Sequence, residues 1–173
     1  MARRADAERN RAIILAVARE AFAEPDAEIS MAEISRRAGV GMATLYRNFP
    51  GRRELLEALY TDEVDAVCAA ADGATLEAWL RRFVAFSAGK RPIARELLTH
   101  VDSSNPVFEG NRARVLAAGR PLLEAAQRSG EIRDDLTLEQ VLDMIIAIAT
   151  IHGDAGYREP ILQAALDGLR VNG

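Results

Sequence analysis

The sequence contains few residues that could hold a metal ion or form a disulfide. Its 173 residues include one cysteine, Cys68, and two histidines, His100 and His152. A single cysteine excludes an internal disulfide framework and a zinc site made of cysteines alone, and histidines so far apart match no familiar metal-ligand spacing. We therefore expect no metal, no cofactor and a reducing compartment.

Long apolar runs are also missing. The longest, residues 144–151, is interrupted by Thr150 and is far too short to cross a bilayer. The N-terminus begins with charged residues and has no apolar run before Ile13, which does not fit a signal peptide. These absences predict a soluble, cytoplasmic protein without a membrane partner.

The sequence lacks the motifs of common enzyme classes. It has no glycine-rich phosphate loop and no nucleophile elbow. His100, Asp102 and Ser103 are close in sequence, but neighbours at one helix end rarely form a catalytic triad. We therefore predict that the protein is not an enzyme.

The sequence contains enough apolar residues to form a core, and its charges are unevenly distributed. Hydrophobic residues make up 49% of the chain, and the net charge of -4 argues against coating nucleic acid by bulk charge. The first 53 residues nevertheless carry a net charge of +3, and the remainder carries -7. This asymmetry suggests an N-terminal part that faces a polyanion, although charges scattered over a solvated surface would give the same counts.

Apolar residues recur at helical spacing throughout, and no segment alternates with a period of two, so the fold is predicted to be all-α. The first helix ends before Pro25. Gly119 and Pro121 predict a kink or a break in the long segment that begins at Pro106. About nine helices are expected in total: the first helix, two short helices that follow it, and six more. These six cover residues 52–70, 76–88, 92–101, 106–129, 138–152 and 159–170.

Two short helices joined by a glycine-bearing turn follow the first helix. Ser30 and Glu33 have the spacing of a capping box, and Ile29 with Ile34 can form the accompanying hydrophobic staple. Gly39 offers the left-handed residue that ends this helix at about residue 38. A second helix over residues 42–48 completes the layout of a helix-turn-helix, although two unrelated surface helices would have the same spacing.

The second short helix carries the chemistry of DNA recognition. If Leu45 and Phe49 face inward, a mixed polar and apolar face is left toward solvent. Arg47 could fork onto a guanine edge. Arg52 and Arg53 stand at the positive end of the next helix dipole, which their charge opposes, so a phosphate partner explains them better than the alternative of a solvated helix end. The candidate DNA-binding residues are Met42, Ala43, Thr44, Tyr46, Arg47, Asn48 and Arg52.

Over about residues 9–59 the sequence resembles the TetR family of bacterial transcription repressors. The resemblance is carried by Ile14-Leu15-x-x-Ala18-x-x-x-Phe22, Ile29-Ser30-Met31-Ala32-Glu33-Ile34-Ser35-Arg36-Arg37-Ala38-Gly39-Val40, Thr44-Leu45-Tyr46-Arg47-Asn48-Phe49 and Arg52-x-Glu54-Leu55-Leu56. The family implies an all-helical homodimer in which three N-terminal helices bind the major groove. Its larger C-terminal bundle holds the dimer interface and usually an inducer pocket.

The resemblance also implies roles for single residues. Met42, Ala43 and Arg47 would lie nearest the bases, Thr44 and Tyr46 would contact the DNA backbone, and Asn48 and Arg52 stand where the family often has phosphate-binding His and Lys. Two glycines depart from the family pattern, because Gly41 and Gly51 replace the usual polar caps of the second short helix and the helix after it. A missing side-chain cap typically costs ~1 kcal/mol.

Beyond about residue 59 the sequence offers mainly apolar helix faces. The family resemblance implies that the last two helices pair with those of a second copy, although the same apolar faces could close the core of one chain. The residues expected at this interface are Val141, Ile145, Ile148, Ile161, Ala165 and Leu169. A pocket for a small molecule would draw on large side chains that more often simply pack a core. These are Trp79, Phe83, Phe86, His100, Phe108, Met144 and Ile148.

The sequence therefore predicts a helix-turn-helix DNA-binding domain at residues 1–51 and a ligand-binding and dimerisation domain at residues 52–173. The predicted function is that of a transcriptional regulator that binds double-stranded DNA. We expect it to be a repressor that a small-molecule effector releases from a palindromic operator. The alternative is a helical ligand- or protein-binding module that no longer reads a specific sequence. Such a module would bind DNA only weakly and without sequence preference.

Overall fold

The computed structural model describes residues 2–24, 29–89, 91–100 and 105–171, without the side chains of residues 2–4, 91 and 92. The described residues form nine α-helices and no β-strand, which confirms the predicted fold class. The helices are α1 (Ala2–Ala23), α2 (Met31–Ala38), α3 (Met42–Asn48), α4 (Arg52–Ala69), α5 (Leu76–Gly89), α6 (Arg91–Leu98), α7 (Pro106–Arg128), α8 (Leu138–Thr150) and α9 (Ala155–Leu169).

Two helices differ from the sequence prediction. The α7 helix continues through Pro121, so a break at this proline is wrong, whereas the kink that was the other predicted outcome stays a prediction. Proline removes one backbone hydrogen bond, and here the carbonyl that loses its partner belongs to the exposed Ala117, where water can replace it. The α9 helix begins before its predicted start because Asp154 caps it, its Oδ1 accepting from the Tyr157 amide at 2.8 Å.

The chain forms two compact units. Unit 1 comprises Met1–Asp62 and Arg91–Asn105, and thus includes α6 although that helix follows α5 in the sequence. Within unit 1, α1 packs against α2, α3 and α6. Its buried core consists of Ile14, Leu15, Ala18, Ala21, Phe22, Ile29, Ile34, Leu45, Phe49, Leu55, Leu56, Leu59, Tyr60, Ile93 and Leu97.

Unit 2 comprises Glu63–Lys90 and Pro106–Gly173 and is centred on α5, which packs against α7 and α8. Trp79 is fully buried, and its indole N–H donates to the Val67 carbonyl at 3.0 Å. Gly119 allows α7 to approach this ring, because a Cβ at that position would lie 2.3 Å from Trp79 Cη2. Close helix packing therefore explains Gly119, which the sequence predicted to interrupt α7.

The predicted division into residues 1–51 and 52–173 assigns functions to two parts of the chain and stays a prediction. Every helix among the described residues is too short or too polar to span a bilayer. The same residues contain no group of three or more His, Cys, Asp or Glu side chains that could hold a metal ion.

Candidate nucleic-acid interface

The ends of α2 are fixed by local hydrogen bonds that its sequence encodes. Ser30 Oγ accepts from the Glu33 amide at 3.2 Å. Gly39 adopts φ 64°, and its amide donates to the Arg36 carbonyl at 3.2 Å. Ile29 and Ile34 are both buried. The predicted N-cap and glycine stop are confirmed, so α2 and the turn after it have defined ends.

The Glu33 carboxylate does not make the predicted return bond of a capping box. It accepts instead from Arg36 at 2.7 and 2.9 Å and from Arg37 at 2.6 Å, and Arg37 also pairs with Glu24 beyond the end of α1. Hydrogen bonds from Arg36 and then Arg37 lower the pKa of Glu33 to about 2. Neighbouring guanidinium groups outcompete a backbone amide for this carboxylate, and Arg37 ties α2 to α1.

The α3 helix separates a buried side from an exposed side as predicted. Leu45 and the following Phe49 are essentially inaccessible to solvent. On the other side Met42 is 38% exposed and Tyr46 is 46% exposed. Of the remaining candidates, Ala43 and Arg47 are exposed and Thr44 and Asn48 are half-buried. A buried leucine thus anchors α3, and a continuous mixed face is left uncovered.

The polar side chains of α3 already contact one another. Arg47 Nη2 donates to Thr44 Oγ1 at 2.8 Å, and Asn48 Nδ2 donates to the Thr44 carbonyl at 2.8 Å. The Arg47 bond is exposed, so exchanging it for a base edge costs little because water competes for the same groups. An arginine with this freedom can make the bidentate contact with guanine O6 and N7.

Arg52 is less accessible than the sequence suggested. Its side chain is 26% exposed, and its Nε donates to Glu96 Oε1 at 2.8 Å. Its Nη1 donates to the Ile29 carbonyl, and its guanidinium carbon lies 5.0 Å from the centre of the Phe22 ring. The phosphate contact expected of Arg52 stays a prediction, and this geometry weighs against it.

Two contacts of unit 1 were not anticipated from the sequence. Glu96 lies 44 positions after Arg52, and Arg11 stacks over Phe49 with 4.6 Å from its guanidinium carbon to the ring centre. No local pattern marks such pairs, because each becomes adjacent only when distant helices pack. The one signal in the sequence was that Arg52 stands at the positive end of the α4 dipole, where an arginine needs a negatively charged partner.

Comparisons with known proteins match both parts of the chain. Residues 14–59 match the family described as bacterial regulatory proteins, tetR family, and residues 71–171 match the C-terminal domain of SbtR-like transcriptional regulators. An HTH-type transcriptional regulator of Mycobacterium bovis is 31% identical over 153 residues, which cover 79% of this chain and 76% of that protein.

Solved structures agree over nearly the whole length. A TetR transcriptional regulator of Streptomyces coelicolor has a TM-score of 0.76 and 33% identity, covering 94% of this chain and 99% of its own. A TetR regulator of Mycobacterium vanbaalenii has a TM-score of 0.77 and 34% identity, covering 97% and 99%. The chain belongs to the TetR family. It is a helix-turn-helix, DNA-binding transcriptional regulator and not an enzyme.

The residues expected to bind an effector of this TetR regulator do not all lie in one unit of the structure. His100 is exposed and lies in unit 1. The others lie in unit 2, where Trp79, Phe83, Phe86 and Ile148 are buried and Phe108 and Met144 are half-buried. Trp79 stacks on Phe83 at 5.8 Å between ring centres. Much of the set therefore packs the core of unit 2.

Two surface pockets of unit 2 are lined mostly by residues outside the set expected to bind an effector. One pocket of about 280 Å³ includes a residue of the expected set, Phe86, and is otherwise lined by Glu63, Ala66, Val67, Arg82, Ala85 and Gly89. Another, of about 520 Å³, is lined by Gln127, Gly130, Ile132, Arg133, Asp134, Asp135, Gly168, Arg170 and Val171. An effector contact for any residue of the expected set stays a prediction.

The six residues expected at a TetR dimer interface also fall into two groups. Four are buried within the single chain: Val141, Ile145, Ile148 and Leu169. Ile161 is 37% exposed and Ala165 is half-buried. The buried group closes the core of unit 2, which is the alternative that the sequence left open. Among these six residues, Ile161 and Ala165 of α9 are the ones with surface to offer a second copy.

Proposed function

We propose that this TetR-family protein is a sequence-specific repressor that binds a near-palindromic operator as a homodimer and leaves it when a small molecule binds. The observation that carries the proposal is the exposed face of α3. It presents a guanidinium, a hydroxyl and small apolar groups around Arg47, Thr44 and Met42. A helix-turn-helix protein reads bases through such a face on its second helix.

The composition of the α3 face favours base recognition over general attraction to DNA. Arg47 is the single charged residue of α3, so bulk charge is not what the helix offers. Arginine discriminates guanine by a paired hydrogen bond, and Met42 and Ala43 can contact a thymine methyl group. Thr44 and Tyr46 can donate to phosphates, which fixes orientation without reading sequence.

A homodimer is supported by the outward side of α9. Tyr157 is 62% exposed and stands one helical turn before Ile161, and Ala165 follows one turn later. An apolar row of this kind on an exposed helix suits a twofold interface, in which the same surface serves both copies. Two identical reading helices then require an operator with two related half-sites.

Release by a small molecule assigns a regulatory role to the predicted domain at residues 52–173. A ligand shifts DNA affinity only if it binds one conformation more tightly than another. A coupling of ~1–3 kcal/mol between ligand and DNA would weaken operator binding roughly 5- to 150-fold. Such a regulator would act in the cytoplasm, together with its operator.

The proposal is tested by selecting duplexes from a random library with the wild-type chain and measuring affinity by fluorescence anisotropy. The selected duplex should bind far more tightly than a scrambled one at physiological salt. Arg47→Ala should lose ~1–3 kcal/mol on the selected duplex and little on the scrambled one. Arg95→Ala removes an exposed arginine of α6 and is the matched control. Equal affinity of the wild type for both duplexes would favour the module without DNA specificity.

A further inference from the structure

Arg52 joins four elements of unit 1 through one side chain. It begins α4, its Nε donates to Glu96 of α6 at 2.8 Å, and its ring contact is with Phe22 of α1. Its Nη1 donates to the carbonyl of Ile29, the residue before the N-cap of α2. A planar guanidinium can make such contacts in several directions at once, which lysine cannot.

These contacts restrict how a phosphate could approach the Arg52 side chain, which is only 26% exposed. The edge that carries Nε is bonded to Glu96, Nη1 is bonded to a backbone carbonyl, and one face lies against Phe22. A phosphate bound through the Nε–Nη2 edge would displace Glu96, and one bound at the Nη1–Nη2 end would lie beside the Ile29 carbonyl that Nη1 already holds. Glu96 would also repel a phosphate placed beside it, since both carry negative charge.

The hydrogen bond to the Ile29 carbonyl fixes the backbone directly before α2. Ser30, the next residue, is the N-cap of α2, and α3 follows α2 after a short turn and packs against both α1 and α2. A shift of the chain at Ile29 therefore moves the start of α2 and, through the turn, the face of α3. Contacts with bases demand fixed placement of that face.

We propose that Arg52, held by Glu96, is a positioning residue that sets the placement of α2 and α3, and is not a phosphate contact. The proposal rests on the proposed function, because it explains how the reading face is kept in place. It reverses the role that the family resemblance implied for this position. It also gives α6 a part in DNA recognition through Glu96.

The test measures affinity for the selected duplex and for its scrambled counterpart at several salt concentrations. Arg52→Ala should lose roughly tenfold on the selected duplex, comparable to one mismatched base pair, and stay within about twofold on the scrambled one. The slope of log affinity against log salt should be unchanged. A phosphate contact would lower both affinities and reduce the slope by about 0.9.

Two further variants separate the explanations by the direction of their effects. Arg52→Lys keeps the charge but cannot reach all three partners, so it should resemble Arg52→Ala. A phosphate-binding side chain would be rescued by lysine. Glu96→Ala should weaken binding to the selected duplex, whereas a freed phosphate contact would tighten binding to both duplexes. Arg95→Ala, which changes the charge of the same helix, should leave the ratio of the two affinities as in the wild type.

Unfolding is monitored by circular dichroism for every variant, and binding is measured where all are folded. Partial unfolding lowers the affinities for the selected and the scrambled duplex by the same factor, so their ratio does not change. If Arg52→Ala loses affinity equally for both duplexes while its salt slope is unchanged, the positioning role is overturned. A reduced slope or rescue by lysine also overturns it. If the wild type binds all duplexes alike, the proposed function fails first and this inference with it. A discriminating wild type with an unchanged Arg52→Ala ratio overturns the inference alone.

Discussion

The α3 helix of unit 1 and the α8 and α9 helices of unit 2 differ in what a pattern of apolar residues reveals. On α3 a single residue, Leu45, is buried, and the remaining face is defined by what stays outside. On α8 the apolar stripe through Val141 and Ile145 is fully buried within one chain. A short helix with a buried anchor identifies its functional face, whereas a long apolar stripe does not say which partner covers it.

The largest expected effect tests whether the α8 stripe serves the single chain. Ile145→Ala should lower the free energy of unfolding by ~2–5 kcal/mol, because a fully buried isoleucine leaves a cavity. Urea unfolding at two protein concentrations separates this loss from dissociation of a dimer. A small loss that grows on dilution would instead place Ile145 between two copies and remove the contrast with α9.

The second prediction concerns the exposed side of α9. Ile161→Glu should weaken self-association by tenfold or more, since it places a charge in an apolar twofold contact, and should change the unfolding of the single chain little. Sedimentation equilibrium measures the effect. Ala125→Glu, an equally acidic change at an exposed position of α7, is the control. Unchanged association in Ile161→Glu would show that the copies meet elsewhere.

A pair of helix caps compares the two units directly. Ser30 caps α2 in unit 1, and Thr75 Oγ1 accepts from the Ala78 amide at 3.2 Å at the start of α5 in unit 2. Ser30→Ala and Thr75→Ala should each cost ~1 kcal/mol of stability. Thermal unfolding and anisotropy would be measured on both. Of the two variants, only Ser30→Ala should also reduce operator affinity. An equal reduction in Thr75→Ala would show that DNA binding is no more sensitive to a cap in unit 1 than to a cap in unit 2.

The smallest effect is a dependence of stability on acid. Bonds from Arg36 and Arg37 hold the pKa of Glu33 near 2, below its ordinary value of 4.5. Because the pKa of Glu33 is lower in the folded state than in the unfolded state, its ionised carboxylate stabilises the folded protein fully above about pH 4.5. This stabilisation is lost as the pH falls toward 2. The difference in melting temperature between wild type and Glu33→Gln should therefore shrink over that interval. A difference that stays constant with pH would refute the role of this carboxylate.

Local chemistry explains which parts of the fold and candidate site were predictable. The stop of α2 at Gly39, the glycine cap of α3 and the exposure of Tyr46 all follow from residues within one or two turns. The Arg52–Glu96 pair could not be foreseen, because it depends on how α4 and α6 pack. Glu33 was predicted to bond a backbone amide, since the capping pattern does not weigh the two arginines beside it. Trp79 and Ile148 looked suitable for a pocket because large apolar residues look alike whether they line a cavity or fill a core.

Base reading by the exposed face of α3 can be examined one base pair at a time by a selection profile. Random duplexes would be selected in parallel by the wild-type chain and by Arg47→Ala, and the base preferences at each position compared. We expect Arg47→Ala to lose its preference at one base pair in each half-site and to retain the others. A profile identical to that of the wild type, or one weakened evenly at every position, would contradict it.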